Sequence, residues 1–295
     1  MKKNLIAIAV AGVMAAPMAA VADINIYGQL NFELQSWDGD IDTASNGSRL
    51  GFKGSEDLGG GMSAIWQIEG AIDPSLGGQT LQTSNRNTFL GLTGDFGTLL
   101  LGRHDHPYKL ATLAFRPMGD TMADQAGFNA ESFLRSDGVV AYVSPNMNGF
   151  SFAAAAVPFH AGSNEVAYSI SATYNADPIL VTAAYDKLDD AGLWNATMLG
   201  ARYNFGMGTI GLMYEDIRKV NRREAFTLPV TFNIDGGMYV RAMAKKVDWH
   251  NGGDATDFAL QVGKNMSNRT EMYGIVTTTN DNDDANFALG LRHRF

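Results

Sequence analysis

The chain has 295 residues, 33 of them glycine and none cysteine, with a formal net charge of −9 at pH 7. That acidic balance argues against a nucleic-acid partner, and without cysteine there is neither a disulfide framework nor a thiolate metal site. Stability therefore has to come from an extensive core or from a backbone that closes its own hydrogen bonds.

The first element is a leader. Met1–Ala22 carries Lys2 and Lys3, an apolar stretch from Leu5 to Ala16, and a small-residue end at Ala20-Val21-Ala22. This is the layout of a secretory signal peptide, and its apolar stretch is short for a membrane anchor. The expected mature domain, residues 23–295, begins at Asp23 outside the cytoplasm and holds 20 basic and 31 acidic residues, a net charge of −11. No later run approaches the roughly 20 apolar residues of a membrane helix. If the mature chain lies in a membrane, it does so as a barrel.

The next stretches alternate. Ile24, Ile26, Leu30, Phe32 and Leu34 are apolar, whereas Asn25, Tyr27, Gln29, Asn31 and Glu33 are polar, a period-2 pattern over eleven residues. That length suits a tilted membrane strand of about 9–11 residues. The same split recurs at Val166–Asn175, Ala225–Ile234 and Phe287–Phe295. A soluble sandwich also alternates, but its strands are typically about 5–6 residues long. Seven tight turns, such as Asp57–Gly61, Gly94–Gly97 and Asp235–Gly237, alternate with eight looser links, among them Trp37–Gly47, Lys187–Gly192, Asp248–Thr256 and Thr279–Asp284. The sum is about sixteen antiparallel strands, with short turns at one rim and longer loops at the other. Tyrosines and phenylalanines near the strand ends read as interfacial girdles.

One segment breaks the pattern. Asp105–Asp137 shows no sustained alternation and carries both charge signs. A connection this long inside an array of strands is usually functional or disordered. We expect it to fold into the barrel and set what passes.

Ser48–Glu69, SRLGFKGSEDLGGGMSAIWQIE, resembles the second and third strands of the Gram-negative general porins, the trimeric group that includes the neisserial porins. Arg86–Arg103, the turn at Ser144–Ser151 and the terminal ALGLRHRF ending in Phe295 add to the likeness. The resemblance implies an all-β transmembrane barrel of about sixteen strands, assembled as a homotrimer, whose third external loop bends into the lumen. That loop is Asp105–Asp137. It also implies that Arg49 and Lys53 point into the lumen and that Phe295 is the signal read by the barrel-insertion machinery. Small outward residues, Gly28, Gly54, Ala64 and Gly70, are expected to let neighbouring barrels pack closely.

Alternation turns Arg49, Lys53, Arg202, Arg241, Lys245, Arg292 and Arg294 inward. Opposite them we expect loop carboxylates, Asp120, Asp124 and Glu131, with Arg135 also at the constriction. Arginines facing carboxylates across a narrow aqueous gap favour polar solutes. Acidic residues gather in the links, at Asp38, Asp40, Asp42, Asp189, Asp190, Asp281, Asp283 and Asp284. At an outer rim these would attract the divalent cations that bridge lipopolysaccharide, and they argue for a cation preference at the mouth; the basic wall argues for anions. Two places depart from the pattern. Leu99-Leu100-Leu101 blunts the alternation and leaves Arg103 on the outward parity unless the strand has broken, and Val139, Ala141 and Val143 are apolar on the inward parity. Either the folded-in loop packs on that wall or the register differs.

His104 and His106 lie two apart without a third ligand and read as polar residues at a strand end, not as a metal site. A Gly-x-Ser-x-Gly elbow, a phosphate loop and a dinucleotide motif are all missing from the sequence. The expected protein is an outer-membrane porin for passive diffusion of ions and small hydrophilic solutes, without catalysis or cofactor. The competing readings are a substrate-selective channel of the same fold, a barrel enzyme and a structural barrel.

Overall fold

The structure, a computed structural model, describes residues 24–37, 39–74, 81–82, 86–128, 130–158, 166–188, 195–218, 222–279 and 282–295. The expected leader Met1–Ala22 and the rim residues Asp38, Asp189, Asp190 and Asp281 lie outside them, and the side chains of Asp283 and Asp284 are likewise not described.

The strands are β1 (Asn25–Trp37), β2 (Asp40–Ser45 and Arg49–Gly59), β3 (Met62–Ile72), β4 (Leu81–Gln82 and Thr88–Gly94), β5 (Gly97–Asp105), β6 (Arg135–Val143), β7 (Phe150–Val157) and β8 (Ala167–Ala176). They continue as β9 (Ile179–Lys187), β10 (Asn195–Asn204), β11 (Gly208–Arg218), β12 (Arg223–Asn233), β13 (Met238–Trp249), β14 (Asp254–Asn265), β15 (Thr270–Thr279) and β16 (Asn282–Arg294). Both pieces of β2 pair with β1, and both pieces of β4 pair with β3, so each is one interrupted strand. Every neighbour is antiparallel, and β16 returns to β1 from Gln29↔Arg294 to Ser36↔Phe287. Phe295 extends this seam by exchanging both backbone hydrogen bonds with Gly28, at 2.9 and 3.1 Å. The result is a closed sixteen-strand barrel without a free edge.

Its two faces are reversed relative to a soluble protein. On β1, Ile26 is 58% exposed, while Asn31 and Glu33, on the other parity, are 0% and 1% exposed. The same inversion holds on β16, where Leu289 and Leu291 are exposed and Arg292 is buried. Such an outer surface is stable against lipid chains, not water. Ring pairs Tyr142–Phe152 and Phe205–Phe232 lie near the tight turns, and Tyr168–Tyr185 and Tyr214–Phe226 near the other rim, as interfacial girdles do.

The tight turns fall where the sequence places them. Gly59, Gly60 and Gly61 join β2 to β3 with φ of 79°, 62° and 77°, a run that L side chains rarely adopt. Two of the looser links are corrected. Most of Trp37–Gly47 is the first piece of β2, paired to Phe32–Trp37. Of Asp248–Thr256, only residues 250–253 lie between strands, and Asp248 pairs with Asp254. Acidic residues read as loop because carboxylates are rare in strand interiors, yet at a solvated rim the ladder simply continues through them. Asp40 and Asp42 are exposed on β2.

The irregularity near Arg103 is a register shift between Gly102 and His104, and Arg103 pairs with Asp137 at 2.8 Å. Leu100, Val139 and Ala141 belong to a buried apolar cluster with Ala155, Val157, Ala167 and Leu188, against which Leu134 packs. Two of the small outward residues serve a different purpose from the one expected. A Cβ on Gly28 would come within 2.5 Å of the Phe295 ring, and one on Gly54 within 2.7 Å of Trp66. Rings of the same chain already fill both gaps.

Candidate functional site: the charged interior and the segment between β5 and β6

β5 ends at Asp105 and β6 begins at Arg135, so the long connection is residues 106–134, with Asp105 and Asp137 themselves on strands. It opens with a short helix, α1 (Pro107–Thr112), whose leading proline lacks the N–H that a first turn leaves unpaired. A 3₁₀ turn, Leu113–Phe115, and a single wide turn, Asp124–Phe128, follow.

One side of the connection is apolar. Tyr108 and Phe115 pack with Leu180 and Ala184 of β9, Ala196 and Met198 of β10, and Met213 and Ile217 of β11. Phe115 lies over Gly200 and Gly211, where a Cβ would meet its ring at 2.4 and 3.2 Å. The Tyr108 hydroxyl donates to Glu215 at 2.9 Å. Further along, Met118, Ala123, Ala126 and Phe128 pack on Met243 and Ala259, and Met122 packs with Tyr273, Ile275 and Ala288.

The other side is held by charge. Asp120 has φ of +58°, a left-handed turn that aspartate tolerates better than most residues. This turn aims its carboxylate at Arg49, 2.8 Å away, and its carbonyl at Arg292, also 2.8 Å, and at the Asn31 amide. Burial pushes the Asp120 carboxyl up, but the Arg49 guanidinium, with Arg292 and Arg86 beyond it, outweighs that and holds it at about 2. Glu131 pairs with Lys245 at 2.6 Å and with Arg223. Burial acts upward on Glu131 too, and those two cations bring it below the usual carboxylate range. Lys109 pairs with Asp105 at 2.6 Å, and burial pulls its ammonium down to about 8 against that attraction.

The expected residues separate into groups. Arg49, Asp120, Arg241, Arg292 and Arg294 converge on one opening, also lined by Gln29, Leu113, Arg116, Pro117 and Gly119. Arg241 donates to Gln261 at 2.9 Å, and Arg292 and Arg294 meet Glu271 at 3.2 and 3.1 Å. Glu131 and Lys245 form a second group. Arg202 donates to the Ala114 carbonyl at 3.1 Å, and Lys53 lies over the Tyr27 ring. Two placements differ from expectation. Asp124 faces Arg116 of the same connection, at 2.5 Å, and accepts from the Asp120 N–H at 2.6 Å, so it closes a local turn instead of facing the wall. Arg135 sits on β6 against Asp105 at 3.0 Å. Asp120 and Glu131 touch their cations directly, with no gap between. His106 is within reach of Ser136 at 2.9 Å and Asp186 at 3.3 Å.

Sequence reasoning missed Arg116, Arg223, Lys109 and the inward tyrosines. Arg223 had a signal, since it shares the polar parity of Ala225 and Thr227. Arg116 had none, because its segment has no period. Around the opening, five guanidiniums face one carboxylate among the lining residues. Asp124 and Glu271 stand behind three of them, paired with Arg116, Arg292 and Arg294.

A closed antiparallel barrel, apolar outside and charged inside, defines a bilayer-spanning protein with a polar bore. The chain matches the Gram-negative porin family over residues 7–285 and belongs to it. It is 36% identical over 187 residues to major outer membrane protein P.IA of Neisseria meningitidis serogroup C, covering 54% of this chain and 46% of that one. The chain thus spans about half the length of this relative. Major outer membrane protein P.IB of Neisseria gonorrhoeae is 26% identical over 321 residues, covering 100% of this chain and 79% of the relative. In fold, the chain is similar to the anion-selective porin from Comamonas acidovorans, with a TM-score of 0.77, 21% identity, and coverage of 93% of this chain and all of that one.

Proposed function

We propose that the protein is an outer-membrane diffusion channel for ions and small hydrophilic solutes, without catalysis, and that it favours anions. The observation that carries this is the opening lined by Arg49, Arg116, Arg241, Arg292 and Arg294, with Asp120 the one carboxylate among its lining residues. In this reading, the connection 106–134 is the loop that folds inward and narrows the bore, and the charges at its edge select solutes. The neisserial relatives are named major outer membrane proteins, which supports the location, and the Comamonas relative is an anion-selective porin. Arg49, Lys53, Arg202, Arg241, Lys245, Arg292 and Arg294 line the bore from the wall, Asp120 and Glu131 meet them from the loop, Asp124 holds the turn behind Asp120, and Arg135 stands beside the loop. Met1–Ala22 is a removable signal peptide, Phe295 the assembly signal, and the working unit a homotrimer in contact with lipopolysaccharide.

The test is single-channel current of the refolded protein in a planar bilayer, followed by the reversal potential across a salt gradient. Stepwise openings in threes with an anion-selective potential are expected. A folded barrel that passes no current overturns the channel reading, and a cation-selective potential overturns the assigned sign.

A further inference from the structure

Three times on the buried face of the wall, a tyrosine lies over a glycine directly opposite it on the next strand. The pairs are Tyr27 with Gly51, Tyr239 with Gly263, and Tyr273 with Gly290. A Cβ on those glycines would come within 2.3, 2.3 and 2.2 Å of the ring carbons, so only glycine admits the ring. Each hydroxyl then reaches past the glycine to a carboxylate on the strand beyond. Tyr27 donates to Glu69 at 2.9 Å, Tyr239 to Glu271 at 2.7 Å, and Tyr273 to Glu33 at 2.7 Å.

One of these carboxylates holds the arginine row, one holds the loop, and Glu69 holds Arg86 at 2.5 Å. Glu271 carries Arg292 and Arg294, and Glu33 accepts from the Met122 N–H of the loop at 2.9 Å. The rings also face cations, Arg241 over Tyr239 at 4.0 Å and Arg292 over Tyr273 at 5.6 Å. Glutamate and arginine side chains lose much rotamer freedom when fixed, and a charge that swings gives a blurred field. A ring pinned over a glycine does not swing, and neither does the carboxylate bonded to its hydroxyl.

We infer that Tyr239 and Tyr273, each seated on its glycine, are positioning residues that set the ion selectivity of the channel by fixing Glu271 behind the arginine row and Glu33 beneath the loop. This rests on the channel reading above. The test compares Tyr239→Phe and Tyr273→Phe with the wild type in planar bilayers. Phenylalanine keeps the ring on the glycine and removes only the hydroxyl, and heat-dependent gel mobility reports whether the barrel has folded. Both variants should fold and conduct, with a reversal potential shifted from the wild-type value. In a Glu271→Gln background, Tyr239→Phe should add no further shift. A purely structural role would lower heat stability and leave the potential alone, and that result, or an equal shift in the Glu271→Gln background, overturns the inference. A variant that fails to fold with its ring retained also overturns it, because the hydroxyl would then be needed for assembly. A folded wild type without current overturns the channel reading and this inference together; a conducting wild type with unmoved variants overturns only this one.

Discussion

Asp120→Asn isolates a single charge at the opening. The carboxyl falls from an ordinary 3.8 to about 2, which by linkage is worth about 2.5 kcal/mol in favour of the folded loop. The side chain is 35% exposed, and solvent screening reduces this to roughly 1 kcal/mol. The folded value is depressed, so the contribution is complete above about pH 4 and disappears as pH falls through 2. At neutral pH, Asp120→Asn removes it and raises the population with the loop tip released about five-fold. It also leaves the Arg49 guanidinium without its counter-charge, so the reversal potential should move towards anions. The move should be large in 0.1 M salt, where charges act over about 10 Å, and small at 1 M, where they act over about 3 Å. Arg49→Gln should move it the other way. The assay is reversal potential at the two salt levels, with open-channel noise reporting loop release. An unchanged potential at low salt in a folded variant would refute the assignment of Asp120 to the permeation path.

Further outcomes follow from the loop's other anchors. Phe115→Ala empties the seat over Gly200 and Gly211 and should cost about 3–5 kcal/mol of loop docking, read as protease cleavage within 107–134 while strand content by circular dichroism stays constant. Glu131→Gln takes a paired carboxylate from Lys245, whose side chain is 2% exposed and which keeps the Gly127 carbonyl at 2.9 Å, and should destabilise by about 3–5 kcal/mol, lowering the temperature at which the folded gel band is lost. Glu131 is held below its ordinary range, so its contribution is present at neutral pH and fades only in acid. Burial holds the Lys109 ammonium down at about 8 against the pull of Asp105. Because the folded value lies below the ordinary 10.5, loop stability should rise with pH between 8 and 10.5.

Which residues face inward was legible in the sequence because a strand's side chains alternate without exception where no bulge intervenes. Arg241, Lys245, Arg292 and Arg294 were placed by parity alone, and all four lie on the charged face. Parity also failed where it had to: at Gly102–His104 the register shifts, so Arg103 could not be read from its neighbours. The loop is a different case. Asp124 looked equivalent to Asp120, yet a wide turn points it back at Arg116, and no period exists there to say so. The glycines show a third limit. Gly28 and Gly51 look alike in sequence, but one admits Phe295 outside the wall and the other Tyr27 inside it. The sequence marks that a Cβ is missing and not which distant ring fills the gap.

The anchoring of the loop bears on where solutes can pass. Tyr108 and Phe115 are fully buried against β9–β11, so that side is sealed by close apolar packing. At Asp120 itself, the loop meets the wall through polar groups of β1, β2 and β16, and the opening lies there. Water enters a polar gap and not a close-packed apolar one. In the proposed channel the bore is lopsided: the apolar dock would fix how far the loop stands from the opposite wall, and hence the size limit, while the arginine row would fix the charge preference. These two properties should separate by mutation. Trimming Phe115 should admit larger uncharged solutes with the reversal potential nearly unchanged, and Arg241→Gln should shift the potential with the size limit intact. Solute-size exclusion in proteoliposomes, measured beside reversal potentials, reads both, and a variant in either class that moved both quantities equally would show that dock and row are one mechanical unit.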